Sequence, residues 1–248
     1  QTPDPNQENR IDYLNLGEKV THALRENWKH EFNFGLSRRD RRTQDPDDGL
    51  LGYMRAPYDG FTLNWVDYFD KGSSVPVYDA PYGPDDYRYR GANYGLDYRH
   101  TVTFSGAKAS GILTAGVEHL LQTYRQGGNY GYLSDNLSLT SLYLNNQTLL
   151  AGDALSINSG LRYDNHEKAG GNTTGMIGAA WDIRRHGLIL RGNYGSAFRA
   201  PSIYEVFSAS GNPALDPETS TTGELGVEKY DSRGRYRIGL SWWHSEVK

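Results

Sequence analysis

The residues of this 248-residue chain whose types and spacing can do chemistry are few and scattered. There is no Cys, which excludes thiolate metal sites, disulfides and Cys catalysis. No nucleophile elbow, P-loop or zinc-hydrolase spacing occurs, so the chain reads as a protein that is not an enzyme. His22, His30 and His100 fall near the ends of neighbouring predicted strands. Imidazoles so placed can form a metal site. They can also sit, as Tyr and Trp do, at a membrane interface, and that reading is the favoured one. Asp47-Asp48 and Asp85-Asp86 offer hard oxygen donors to calcium, but as loop carboxylates they read as solvated charge. No metal and no cofactor is expected.

Binding chemistry is densest in "QDPDDGLLGYMRAPYDGFTLNWVDYFDKGSSVPVYDAPYGPD", the loop 44–85, which carries Tyr53, Tyr58, Phe61, Trp65, Tyr68, Phe69, Tyr78 and Tyr82. Aromatics with polar tips suit a planar or glycan-like ligand. They equally suit a large loop that packs on itself, and both readings stay open at this point. The ligand-binding residues expected are Tyr58, Trp65, Tyr78 and Tyr82 here, Tyr204 in a second loop at 199–220, and Arg55, whose guanidinium pairs well with oxyanions.

The elements that must hold these loops show strict period-two alternation. In "WKHEFNFGLSRR", Trp28, His30, Phe32, Phe34 and Leu36 oppose Lys29, Glu31, Asn33, Gly35 and Ser37. In "GANYGLDYRHTVTF", Ala92, Tyr94, Leu96, Tyr98, His100, Val102 and Phe104 oppose Gly91, Asn93, Gly95, Asp97, Arg99 and Thr101. "LSINSGLRYD" and "RYRIGLSWWHS" repeat the pattern. Such runs predict strands near 11–24, 28–43, 86–104, 109–125, 135–150, 153–166, 174–184, 187–198, 221–230 and 234–247. Many exceed the usual globular strand of about five or six residues, whereas a transmembrane strand needs about nine to eleven. Short links at 25–27, 105–109, 151–153, 184–187 and 231–235 alternate with longer ones at 44–85, 126–134, 167–173 and 199–220. That asymmetry is expected of an outer-membrane barrel, with short periplasmic turns and long extracellular loops.

Composition agrees. Hydrophobic residues make up 37%, there are 19 Tyr and 29 Gly, and no apolar run is long enough for a transmembrane helix. With a net charge of −4 and no basic block, no nucleic-acid partner is expected. A soluble β-sandwich also has one polar face per strand. Here the polar face is Gly, Asn, Ser, Asp and Arg, which suits a crowded wet lumen, and the apolar face is rich in aromatics, which suits lipid. The fold class expected is all-β, an antiparallel transmembrane β-barrel.

"YGSAFRAPSIYEVF", "GNPALDPETS" and "GELGVEK" follow in order, with "LTSLYLNNQTLLAGDALSINSGLRYDNH" upstream. Together they resemble the barrel signature of TonB-dependent outer-membrane receptors: an F-[RK]-A-P box, an N-P-x-L-x-P-E box, an E-x-G-[VLI]-E strand, and a strand ending G-[LI]-R-Y-D. The resemblance gives Phe198, Arg199, Ala200, Pro201, Asn212, Pro213, Leu215, Pro217 and Glu218 a structural role in shaping a loop. Pro201 cannot donate in a ladder and so ends a strand, while Asn212-Pro213 and Asp216-Pro217 initiate turns.

The family's barrel has about 22 strands around a plug. The ten strands read here, with no plug-like segment, are therefore expected to be a partial barrel, an internal piece near strands six to fifteen, with 199–220 as the seventh extracellular loop. The resemblance implies uptake of a metal chelate across the bacterial outer membrane, most readily an iron–siderophore, with cobalamin or another nutrient as alternatives. It also implies an energy-coupling inner-membrane partner acting through the plug. Haem receptors of the family place an axial His between the two boxes, and "SIYEVFSASG" at 202–211 has none. A passive porin and a soluble carbohydrate-binding sandwich are the rival classes.

Overall fold

The structure, a computed structural model, describes residues 8–45, 50–54, 75–78, 85–128, 131–231 and 233–248, with backbone alone for 50–54, 75–78 and Asp85. Ten strands form one sheet: β1 (Glu8–Arg25), β2 (Trp28–Asp45), β5 (Asp85–Ser105), β6 (Ala109–Gly128), β7 (Leu133–Leu150), β8 (Leu155–His166), β9 (Gly170–Ile183), β10 (Leu188–Arg199), β11 (Glu218–Tyr230) and β12 (Arg237–Val247). The order is β1-β2-β5-β6-β7-β8-β9-β10-β11-β12, so each strand pairs with its neighbour in this up-and-down series, and β1 and β12 are the two edges. The ladders from β7 to β12 are antiparallel and without a register break, for example Leu188↔Lys229 through Arg199↔Glu218 between β10 and β11. A separate two-stranded hairpin, β3 (Leu50–Met54) with β4 (Val75–Tyr78), lies within the long predicted loop.

The chain divides into two compact units. One comprises Gln1–Tyr13, Arg38–Gly91 and Tyr124–Ser134, and is dominated among its described side chains by Arg–carboxylate pairs. The other comprises Leu14–Ser37, Ala92–Thr123 and Asp135–Lys248, and holds most of the ladder.

Alternation fixes the faces. Phe32, Phe34, Leu96, Tyr98, Leu142, Leu161, Leu225, Leu240 and Trp242 are all exposed large apolar residues. The intervening Asn33, Asp97, Tyr143, Arg162, Asn193 and Glu224 hydrogen-bond across strands instead. Among the described residues buried apolar side chains are few, with Leu137, Val206 and Ile203 the most enclosed. A soluble sandwich would bury its apolar rows between sheets. Here those rows are bare, as they are on a barrel's lipid face.

Two sequence expectations need correction. The links expected at 126–134 and 167–173 are nearly as short as the turns, because β6 runs to Gly128, β7 begins at Leu133, and β8 and β9 are separated only by Glu167–Ala169. The Gly-rich "GGNT" at 170–173 reads as loop, yet it stays in the ladder, with His166↔Gly170, Asn165↔Gly171 and Asp164↔Asn172 paired. In a closely paired ladder Gly supplies room rather than flexibility. Gly171 accommodates the Tyr163 ring, whose hydroxyl would lie 2.5 Å from an added Cβ.

Candidate functional site

The loop between β10 and β11 is built around one guanidinium. Arg199 ends β10 and stands directly opposite Glu218, the first residue of β11. Its Nε and Nη2 donate to the two Glu218 carboxylate oxygens at 3.0 and 2.7 Å. Its Nη1 and Nη2 also donate to Glu205 at 3.3 and 3.2 Å. The chain therefore leaves the sheet and returns to it at a single cross-strand pair. Between these points Pro201 is buried and stops the ladder, and a one-and-a-half-turn helix, α1 (Ile203–Phe207), follows.

Its start is a capping box. The Ser202 hydroxyl accepts from the Glu205 N–H at 3.3 Å, and the Glu205 carboxylate accepts from the Ser202 N–H at 2.8 Å. Ile203 and Val206 turn inward and are buried, which leaves Tyr204 about half exposed. The Lys168 ammonium sits 5.1 Å from the Phe207 ring centroid, tying the loop to the β8–β9 turn. In that turn His166 Nδ1 accepts from the Lys168 and Ala169 N–H groups at 3.3 and 3.1 Å. Downstream, the Asn212 N–H donates to Glu205 O at 2.8 Å, and Asn212 Oδ1 accepts from the Ala214 N–H at 3.0 Å, an Asx turn before Leu215 and Pro217. Gly211 lies against this helix end. A Cβ there would come within 2.8 Å of Glu205 O.

The Ser202 backbone N–H, and after it the Arg199 guanidinium, hold the Glu205 carboxyl down to about 2. A depressed carboxylate pKa contributes stability above its unfolded value and loses it as pH falls through its folded value. The 199–218 arrangement is thus expected to persist from neutral pH to about 4.5 and to open only towards about 2. A carboxyl-carbon NMR titration of Glu205 in the full receptor should inflect near the lower value; an inflection at the ordinary 4.5 would show that the clamp is not formed.

The polar rows of β1, β2 and β5–β8 form a second feature. Glu31 is buried and is held by Lys19, by the Thr21 hydroxyl at 3.3 Å and by Arg99 Nε at 3.1 Å. Asp97 accepts from Asn33 at 2.9 Å and from the Tyr143 hydroxyl at 2.5 Å. Tyr143 reaches that carboxylate by passing over Gly116, where a Cβ would meet its ring carbon at 2.5 Å and the Tyr98 carbonyl at 2.9 Å. Arg162 links Glu118 at 2.8 Å, Asp164 at 2.8 Å and the Ser141 hydroxyl at 2.6 Å. A cavity of about 570 Å³ opens between these groups, lined among others by Asp97, Arg99, Glu118, Tyr143 and Arg162. This wall of charge-assisted pairs, three cations among four carboxylates, can present both donors and acceptors to a polar solute. The alternation in the sequence places Glu31, Asn33, Asp97 and Arg99 on polar faces but does not pair them.

Of the residues expected to bind ligand, Tyr204 is described, and Tyr78 lies in β4 with its backbone alone described. Arg55, Tyr58, Trp65 and Tyr82 lie outside the described residues, as do Asp47 and Asp48. The histidines do come together. His22 Nδ1 is 2.8 Å from His30 Nε2, His30 Nδ1 is 3.1 Å from the Tyr98 hydroxyl, and Trp28 Nε1 donates to His100 Nδ1 at 3.2 Å. They meet aromatics on the apolar face in tilted or edge-on contacts, and among the described residues no group of three or more His, Asp or Glu is arranged to hold a metal. Asp86 is paired with Arg42 at 3.1 Å.

Strands with one bare apolar face and one ion-paired polar face, joined in an up-and-down series, define a wall of a transmembrane β-barrel. The profile of the TonB-dependent receptor-like β-barrel matches residues 1–248, and the chain belongs to that family. It is 28% identical over 207 residues to a hemin receptor of Yersinia enterocolitica, covering 72% of this chain and 30% of that protein. Among solved structures, the siderophore receptor PirA from Acinetobacter baumannii superposes with a TM-score of 0.69 at 15% identity, over 96% of this chain and 35% of that one. The RagAB peptide transporter superposes with a TM-score of 0.69 at 13% identity, over 97% and 31%. The chain thus spans about a third of the length of each of these three proteins.

Proposed function

We propose that this chain is part of an outer-membrane receptor that captures a metal chelate, an iron–siderophore before cobalamin or another nutrient, and admits it through the barrel. The carrying observation is that across β2, β5, β7, β8 and β11 exposed apolar residues alternate with polar residues that hydrogen-bond between strands, while the loop at 200–217 is held in a defined shape by Arg199. A rigid wall with shaped loops at one end does the work of binding and gating, not bond chemistry. In this reading the loops 44–85 and 199–220 face the cell exterior. Arg55, Tyr58, Trp65, Tyr78, Tyr82 and Tyr204 make the contacts, the aromatics stacking on the chelate and Arg55 pairing with its anionic groups. Phe198 to Pro201 and Asn212 to Glu218 hold the second loop in place. An energy-coupling inner-membrane protein drives release through a plug.

Haem is the second reading, favoured by the similarity to a hemin receptor. The segment 202–211 carries no His, and its one phenol, Tyr204, is the only side chain there of a type that ligates haem iron. Titrating the full receptor separately with ferric siderophores, cobalamin and hemin separates the readings. Saturable quenching by a ferric siderophore supports the first, and a Soret shift with hemin that is lost in Tyr204→Phe supports the second. Diffusive solute flux through liposomes carrying the receptor, without saturable binding of any of the three, would instead indicate a porin.

A further inference from the structure

The ends of β1, β2 and β5 that adjoin the long loop carry a patch that the proposed transport reading does not use. Strand parity places it. In β2, Arg38, Asp40 and Arg42 continue the even-numbered row of Phe32 and Phe34; in β5, Asp86, Arg88 and Arg90 share the row of Tyr94 and Leu96; in β1, Glu8, Arg10 and Asp12 share the row of Leu14 and Leu16. These charges therefore project to the lipid side of the wall, not into the lumen. Three guanidiniums converge on one carboxylate. Arg88 is bidentate to Asp40 at 3.0 and 2.8 Å, Arg90 Nε donates to it at 3.2 Å, and Arg38 Nη2 stands 3.7 Å away.

Asp40 is largely enclosed, while Arg38, Arg88 and Arg90 remain about half exposed. Three positive charges answered by one negative leave a local excess of two, with guanidinium donors still facing out. The other charges lower that excess to one over the whole described patch. Arg42 pairs with Asp86 and Arg10 with Asp12, and Glu8 adds one carboxylate at the rim. A polar cavity of about 300 Å³, lined among others by Glu8, Arg10, Asp40, Arg42 and Arg88, opens on the same face.

Resting on the outer-membrane reading above, we propose that Arg38, Arg88 and Arg90 bind the phosphate groups of a phosphorylated lipid headgroup in the outer leaflet. Charge decides the occupant. A phosphate monoester at neutral pH carries between one and two negative charges, which matches the local excess, and its oxygens match the guanidinium fork. A neutral headgroup would leave the excess uncompensated at the edge of a low-dielectric layer. Asp40 acts as the positioning residue, drawing the three guanidiniums together so that they meet one phosphate.

The test uses the full receptor purified in detergent, with lipid A as the doubly phosphorylated probe, dephosphorylated lipid A as its control, and inorganic phosphate as the free-ion control. Retained lipid is counted by native mass spectrometry. At least tenfold greater retention of lipid A than of its dephosphorylated form is expected, with that preference abolished in Arg38→Gln/Arg88→Gln/Arg90→Gln and undiminished by millimolar inorganic phosphate. If the triple variant does not fold, Arg38→Gln decides the matter. Arg38 makes only the long contact to Asp40, and its loss is expected to lower retention severalfold without unfolding. Equal retention of the two lipids, or no change in the variant that folds, overturns the proposal, as does displacement of lipid A by inorganic phosphate. A receptor absent from the outer-membrane fraction would overturn the outer-membrane reading instead, whereas one present there with no lipid preference overturns this inference alone.

Discussion

Arginine in place of Phe34 or Leu96 is expected to destabilise the full receptor in bilayers by about 2–4 kcal/mol, the cost of a cation on the lipid face near the bilayer midplane. Asn33 and Asp97 hydrogen-bond each other at 2.9 Å, which sets their neighbours Phe34 and Leu96 at the same height on the opposite face. Both are exposed, and both stand several residues from the turns at 26–27 and 106–108. Asn33→Arg is expected to cost far less, because its row is wet and already carries Arg99 and Lys19. Refolding titrations into lipid vesicles read both changes; no cost at Phe34 with a large cost at Asn33 would reverse the two faces.

The second large effect concerns the edges. In the ten-stranded sheet β1 and β12 each have one neighbour, so one side of each strand presents unpaired backbone donors and acceptors among the described residues. In hydrocarbon each such group costs several kcal/mol, and the sum over two edges far exceeds the net stability of an ordinary domain. The 248-residue chain on its own is therefore expected to aggregate, or to depend on further strands, and not to form a stable pore. Planar-bilayer recording settles this. Steady unitary conductance from the isolated chain would mean that β1 and β12 find each other and that the segment closes unaided.

Most of the wall could be read from the sequence because its signal is local. A period of two over more than nine residues identifies a strand and its faces together, and each of the ten runs read from sequence appears as a strand of the main sheet. What was misread was the ends. Gly170 to Thr173 look like a loop by composition, but their partners across β8 keep them in the ladder. The helix α1 was overlooked although Ser202 and Glu205 stand at capping-box spacing, because a five-residue helix is too short for periodicity to reveal. The β3–β4 hairpin was hidden in aromatic loop text, with Pro76 in one strand and a register shift between Leu50 and Gly52. The polar wall was invisible for a different reason. Glu31 with Arg99, Asp97 with Tyr143 and Glu118 with Arg162 are 68, 46 and 44 residues apart, and only the strand register brings them together. The role of Arg199 lay between these cases. Its motif marked it, but its service to two carboxylates at once depends on where the loop returns.

The claim that matters most is that the loops 44–85 and 199–220 capture the ligand. It is tested most directly by measuring the affinity of the full receptor for ferric siderophores, cobalamin and hemin before and after both loops are shortened, beside its melting temperature. Alanine at Tyr204, or at any other aromatic anchor, is expected to weaken binding of the true ligand by about 1–2 kcal/mol, and shortening both loops by more than a single anchor. The melting temperature should change little, since the ladder from β7 to β12 does not depend on the loop aromatics. Unchanged affinity for every one of these ligands after both loops are shortened would contradict the account and move capture into the barrel wall.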